Sequence, residues 1–307
     1  MKQIKIDSYR YYDPVIEGAR VVLNALGEKY TPEYISGISG SAFKIAYSGC
    51  PSCPTCVIDF WPPAFFKHMG YEITEYPCSG DDKCEAMINA VKSSIDGGKP
   101  ALVWHAFREE EWDVVCGYDE DAKQFIGWGT YGGGEYRREP WDRAKTSGVY
   151  GFGAVIVGEK TANLNEREAE INSLKKAVEH AKKEGGSEGI AGYKKWVDMY
   201  SNPGADRGVA CSYCHDTYSS VRKAAVIYLN NIAAKYGGEA ADYLKNAASC
   251  FDEEAGELGK AAPYITWSSP WGVDEARSKN LAPILQAASE QYEKGIGFIE
   301  KALGVLT

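Results

Sequence analysis

Apolar positions follow two different rhythms along this chain. Up to about residue 160 strand-like runs alternate with short helical ones; beyond it apolar residues recur every three or four positions, the spacing of helices. Asp13-Pro14 reads as a helix start, an N-cap acceptor followed by a proline whose missing N–H costs nothing in the first turn, and Gly27 supplies the stop. Between them Val15, Ala19, Val22 and Leu26 repeat at helical spacing, widened by Ile16 and Leu23, which predicts a helix over 13–27 buried along one side. Thr31-Pro32 opens a shorter helical turn ending near Gly37, and GISGSAFKIAY reads as a loop entering a strand. Residues 47–63 hold three cysteines and four prolines and are expected to be irregular.

A short helix over 64–69, a strand over 71–76 and a helix over 82–95 follow, the last stopped by Gly97-Gly98. Strands are expected at 101–104, 112–117, 124–128 and 153–157, with the loop YGGGEYRREPW between the last two long enough to form a cleft rim. From Asn165 the pattern predicts helices over 166–184, 188–200, 214–236, 239–260 and 274–302, broken at Gly185-Gly186, Asn202-Pro203-Gly204, Gly237-Gly238 and 263–272. That pattern fits an antiparallel bundle.

At 307 residues the chain can bury two cores of ordinary size. A net charge of −9 argues against a nucleic-acid partner, because no basic stripe is available to displace counterions. The N-terminus MKQIKIDSYRYYDP lacks a signal-peptide core and no run of membrane-spanning length occurs, so the expectation is a cytoplasmic protein with no membrane partner.

Four segments over roughly residues 18–125 carry a resemblance: ARVVLNALG, ISGISGSAF, SSIDGGKPALVW and EWDVVCGYDEDAKQF, the GYDED hairpin being the most specific. With the element order, they resemble the papain-like cysteine peptidases of the bacteriocin-processing type, and more narrowly the N-terminal domain family of butirosin-biosynthesis protein H. The resemblance implies an α+β chain: a papain-like domain with an antiparallel sheet over 1–160, then an all-α helical bundle over 161–307. In that family the nucleophilic cysteine sits at the start of the first helix, where the helix dipole favours a thiolate. The matching stretch here, residues 13–18, has no cysteine, and Gly18 takes the position. Counted back from Gly117, the family's histidine falls at Glu111, followed by Trp112. The third member of the triad would fall at Gly127–Gly129, and His105 lies one strand too early to serve as the base. A carboxylate cannot take a thiol proton and hold it as an imidazolium does near neutral pH. The resemblance therefore implies the fold without the peptidase chemistry.

On this reading Gly18 faces Glu111 across a vacated cleft, its space open or filled by ligand, water or an aromatic from the 129–141 rim. Glu109 and Glu110 read as solvated members of a charge run, whereas Glu111 immediately precedes an apolar strand. A carboxylate between Trp104 and Trp112, rimmed by Trp128, Tyr131, Tyr136 and Trp141, suits a cationic or hydroxyl-bearing small molecule or a peptide or protein partner. The competing expectation for these aromatics is plain core packing. A homo-oligomer through the helical domain is a further expectation.

Nine cysteines are more than a reducing compartment calls for. Cys50, Cys53 and Cys56 stand at two-residue gaps in a proline-set loop that suits Zn²⁺ or an iron–sulfur cluster, with Cys78 or Cys84 as a fourth ligand. Cys211-Ser-Tyr-Cys214-His215 matches the c-type haem attachment motif, but haem attachment needs export, and the alternatives are a thiol or metal role or a helix start with two buried thiols. Cys116 and Cys250 read as core residues. Two rivals to the ligand-binding reading remain: a thiol-dependent acyltransferase or hydrolase using a cysteine of the 50–56 loop, and a metal-thiolate protein.

Overall fold

The computed structural model describes residues 1–9, 13–48, 61–107, 110–130, 134–148, 151–202, 208–265 and 275–307. The chain forms two compact units, the first of Met1–Ile35 and Phe60–Leu164, the second of Ser36–Asp59 and Asn165–Thr307. Among the described residues there are nine α-helices and seven strands. No described helix is long and apolar enough to cross a membrane.

In the first unit the strands are β1 (Lys2–Gln3), β2 (Tyr71–Tyr76), β3 (Ala101–Trp104), β4 (Trp112–Asp119), β5 (Gln124–Trp128), β6 (Arg137–Pro140) and β7 (Ala154–Lys160). They make one sheet in the order β2-β7-β3-β4-β5-β6, with β1 also on β4, and every pairing is antiparallel. The expected antiparallel sheet is therefore present. Helix α1 (Pro14–Ala25) packs on β3 and β4. Its start is set as the sequence implies, since Asp13 Oδ1 accepts from the N–H groups of Val15 and Ile16 at 3.1 and 3.2 Å. The one-sided burial expected of this helix is not what forms: Ile16 through Leu23 are all buried, including Glu17 and Arg20. Glu17 can lie inside because Arg20 grips both its oxygens, Nε to Oε2 at 2.9 Å and Nη2 to Oε1 at 2.6 Å. Helix α2 (Pro32–Ser39) follows, and α3 (Pro62–His68) and α4 (Asp81–Asp96) complete the helices of this stretch. On α4, Met87, Ile88, Val91 and Ile95 join Ala101, Val103, Val115 and Phe125 in one core. Alternation along the strands then puts Leu102, Trp104, Trp112 and Val114 on the opposite face, under α1.

The second unit holds α5 (Glu166–Ala181), α6 (Gly189–Tyr200), α7 (Gly208–Tyr236), α8 (Gly238–Ala261) and α9 (Glu275–Leu306), close to the five expected helices. Helix α9 packs along α8 and meets α5 and α6, and α8 packs on α7. Residues 36–48 belong to this unit, although the pattern assigns them to the first domain. Instead of entering a strand, they continue α2 to Ser39, make a 3-10 turn at Ser41–Phe43 and form an isolated bridge between Ala46 and Glu188. Helix side chains take the place of a strand partner. Arg222 donates to the carbonyls of Ala42 and Lys44 at 2.6 and 2.9 Å, Tyr292 to that of Phe43 at 2.9 Å, and Tyr218 to that of Ala46 at 2.5 Å. The Ile45 N–H donates to His180 Nε2 at 3.0 Å. These bonds satisfy backbone groups that would otherwise be buried unpaired. Gly37 is required here, because a Cβ would overlap the ring of Tyr228.

Candidate functional site

The helix α1 and strand β4 positions singled out by the sequence come together. A Cβ on Gly18 would lie 3.7 Å from the Trp112 carbonyl oxygen, 3.3 Å from the Tyr9 hydroxyl and 2.8 Å from Leu102 Cδ2. The Tyr9 hydroxyl donates to the same Trp112 carbonyl at 3.2 Å. Gly18 thus meets β4 at its first residue, Trp112. The space next to it is neither open nor filled from the 129–141 loop, which corrects that expectation. It is taken by the Tyr9 hydroxyl and by Leu102 of β3. Burial, and then the carboxylates of Asp113, Glu17 and Glu111, push the Tyr9 hydroxyl well above its ordinary range, so it acts as a neutral donor.

The β3–β4 hairpin carries the remaining candidates. Trp104 and Trp112 form a cross-strand pair with ring centroids 5.6 Å apart. Phe152 stacks on Trp112 at 5.8 Å and meets Trp104 edge-on at 5.3 Å. Trp61 closes the group, 5.0 Å from Phe152 and 6.0 Å from Trp112. Trp104 and Trp112 are buried, Phe152 is half-buried and Trp61 is 36% exposed, so the four-ring cluster reaches the surface at its Trp61 and Phe152 side. Glu110 is tied in rather than merely solvated: one of its oxygens accepts from Ser147 Oγ at 2.9 Å and from the Gly148 N–H at 2.5 Å, and Ser147 Oγ accepts from Trp104 Nε1 at 3.0 Å.

His105 turns the hairpin with a φ of 56°. Its N–H donates to the Glu111 carbonyl at 2.9 Å and its Nε2 lies 3.1 Å from Thr146 Oγ1. It shapes the loop that presents Glu111. Gly127 admits no side chain, since a Cβ would run into the Val114 backbone. Asp113, passed over as part of a strand, is buried and braces the hairpin by accepting from the Phe107 N–H at 2.9 Å and the Thr130 N–H at 3.4 Å. A carboxylate inside an apolar run was the available signal for it. Tyr9, Trp61 and Phe152 had no periodic signal, because each enters from a loop.

Of the rim aromatics, Trp128 packs against Tyr136 with centroids 4.9 Å apart. Trp141 instead joins the α4-side core and carries Lys92 over its ring at 4.9 Å, which removes it from the rim. Tyr131 and Glu109 lie outside the described residues.

Cys50, Cys53 and Cys56 also lie outside the described residues, as does the side chain of Cys211. Among the described residues no cluster of three or more His, Cys, Asp and Glu side chains suits a metal ion. Cys214 and His215 fall inside α7, not at a helix start. The His215 ring is spoken for, with Nε2 2.8 Å from the Leu258 carbonyl and Nδ1 3.1 Å from Asp216 Oδ1, so it is not presented to haem or metal. Cys116 and Cys250 are core residues as expected, and burial raises the Cys116 thiol to about 12. A separate polar groove of about 660 Å³ is lined by Asp7, Arg20, Asn24, Glu28, Lys29 and Glu33 among others.

A scan of protein-family models matches none to this chain, and a search of curated proteins returns no match.

Proposed function

We propose that the first unit is a catalytically degenerate cysteine-peptidase-like domain that binds a small ligand or peptide on the face where a peptidase would cleave one. The observation that carries this reading is the filled position at Gly18. Nucleophile and base are both missing from α1 and β4, and Tyr9 hydrogen-bonds across the gap they would share. Support for binding comes from the adjoining ring cluster. Trp61 offers an exposed aromatic face backed by Trp104, Trp112 and Phe152, and Glu110 and Glu111 stand on the hairpin beside it. Aromatic faces and carboxylates together favour a cationic ligand, such as a peptide bearing lysine or arginine.

The test is a fluorescence titration of the whole chain with short arginine, neutral and acidic peptides, run alongside hydrolysis assays on fluorogenic peptides and thioesters. The expected outcome is a saturable change in tryptophan emission with the arginine peptide alone, lost in Trp61→Ala and kept in Lys29→Ala at the polar groove, with no turnover. Turnover that iodoacetamide abolishes would sink the proposal in favour of a relocated thiol.

A further inference from the structure

We propose that Cys78 and Cys84 are a redox-modification site, a thiol pair that converts reversibly to a disulfide by exchange with a small disulfide. Cys78 lies in the loop between β2 and α4, and Cys84 in the first turns of α4. Both side chains belong to one core cluster, together with Met87 and Ala144. Both are buried, yet residues 77, 79–83 and 85 around them are exposed, so a single layer of loop covers the pair. Six positions separate the two, with a turn at Gly80, φ 85°, between them.

The surroundings favour a thiolate at Cys84. The hydrogen bond from Cys78 is the largest effect lowering the Cys84 thiol; burial opposes it and the Lys145 cation assists. The same bond, followed by burial, raises Cys78. The start of α4 adds its dipole. Lys145 is held there by Asp81 at 2.8 Å and Asp142 at 3.6 Å. In the exchange, the Cys84 thiolate attacks one sulfur of the small disulfide and expels a small thiolate. Cys78 then loses its proton to that leaving thiolate and attacks Cys84 Sγ, breaking the mixed disulfide and expelling the second small thiolate, which takes up a proton from water. The protein dithiol is oxidised by two electrons and the small disulfide is reduced to two thiols.

The pair is also linked to the aromatic cluster. The Cys78 N–H donates to the Gly151 carbonyl at 3.1 Å, and the Trp104 N–H to the Gly153 carbonyl at 2.8 Å, so Cys78 anchors one side of the strip that carries Phe152. Closing the disulfide draws Cys78 toward α4 and shifts Phe152 against Trp112.

The experiment incubates the whole chain with oxidised glutathione, blocks free thiols with iodoacetamide after denaturation, and maps unreduced peptides by mass spectrometry while tryptophan emission is followed. The expected result is a Cys78–Cys84 crosslinked peptide that dithiothreitol releases, with a shift in emission that reverses on reduction. Cys84→Ala should abolish both. Recovery of Cys78 and Cys84 fully alkylated after oxidation, or joined only to other cysteines, overturns the site, and an emission shift that persists in Cys84→Ala overturns the link to the cluster. Neither readout depends on whether the aromatic face binds a ligand.

Discussion

Each unit buries an arginine–glutamate pair, and the two arginines do different work. In the first unit Arg20 and Glu17 stand one turn apart on α1, and both carboxylate oxygens are engaged. The guanidinium also reaches Asp7 at 3.1 Å, a residue whose side chain is half exposed, so the network drains toward solvent. In the second unit Arg222 and Glu254 come from different helices and neither side chain has any exposure. Only Oε1 of Glu254 is used, by Arg222 Nε at 2.8 Å and the Tyr193 hydroxyl at 3.0 Å, and Oε2 has no partner among the described residues. The other guanidinium nitrogens go to the 42–44 backbone, and the rings of Tyr292, Tyr218 and Phe251 surround the charge. Burial holds the Glu254 carboxyl above its usual range even with Arg222 beside it. The lesson is that Arg20 neutralises a helix, whereas Arg222 fastens a distant piece of chain into the bundle.

The largest effect should come from breaking the second pair. Arg222→Met strands a buried carboxylate and leaves two backbone carbonyls unpaired, at a cost of about 3–5 kcal/mol. Hydrogen exchange should show residues 42–46 losing protection before the helices do. Arg20→Met should cost less, about 2–3 kcal/mol, and leave exchange at 42–46 unchanged. Equal loss of protection at 42–46 in both variants would erase the distinction. Arg222→Met combined with Glu254→Leu should recover much of the loss, because the unpaired charge is removed as well.

Titration sharpens the contrast, because the two units should respond to acid with opposite sign. Burial lowers His180 from 6.5 to about 4, outweighing its hydrogen bond to the Ile45 backbone. Its contribution is present above pH 6.5 and is lost as pH falls toward 4. Burial raises the helix cap Asp13 from 3.8 to about 6. Its contribution is complete below pH 3.8 and is lost as pH rises through 6. Each amounts to ~3 kcal/mol across its window. Exchange measured on α5 and α1 between pH 4 and 6.5 should therefore run in opposite directions. His180→Gln should flatten the first profile and Asp13→Asn, which keeps a cap, the second. Parallel profiles in the unsubstituted chain would show that other groups govern both.

The smallest effect tests the filled site. Tyr9→Phe removes one hydrogen bond to the Trp112 carbonyl and should lower stability by about 1 kcal/mol, with no change at α5–α9. A loss several times larger would mean that Tyr9 holds more than that single bond.

Local signals determined most of the element list. Asp13-Pro14 starts α1 because the cap and the missing N–H act within one turn, and four of the five bundle helices start within a residue of their expected positions because glycine and proline breaks also act locally, α7 beginning six residues early. The alternation at 101–104 and 112–117 likewise foretold the hairpin, and the count from Gly117 led to the strand start that meets Gly18. What occupies that meeting point was decided only by the tertiary structure. Tyr9 and Leu102 reach it from separate segments, and no spacing rule encodes a contact made across the fold. Residues 36–48 make the same point at larger scale. The run GISGSAFKIAY reads as a loop entering a strand, but a strand needs a neighbouring edge, and the partners this segment meets are Arg222, Tyr218, Tyr292 and His180, whose hydrogen-bonding groups point inward only because the helices carrying them have packed.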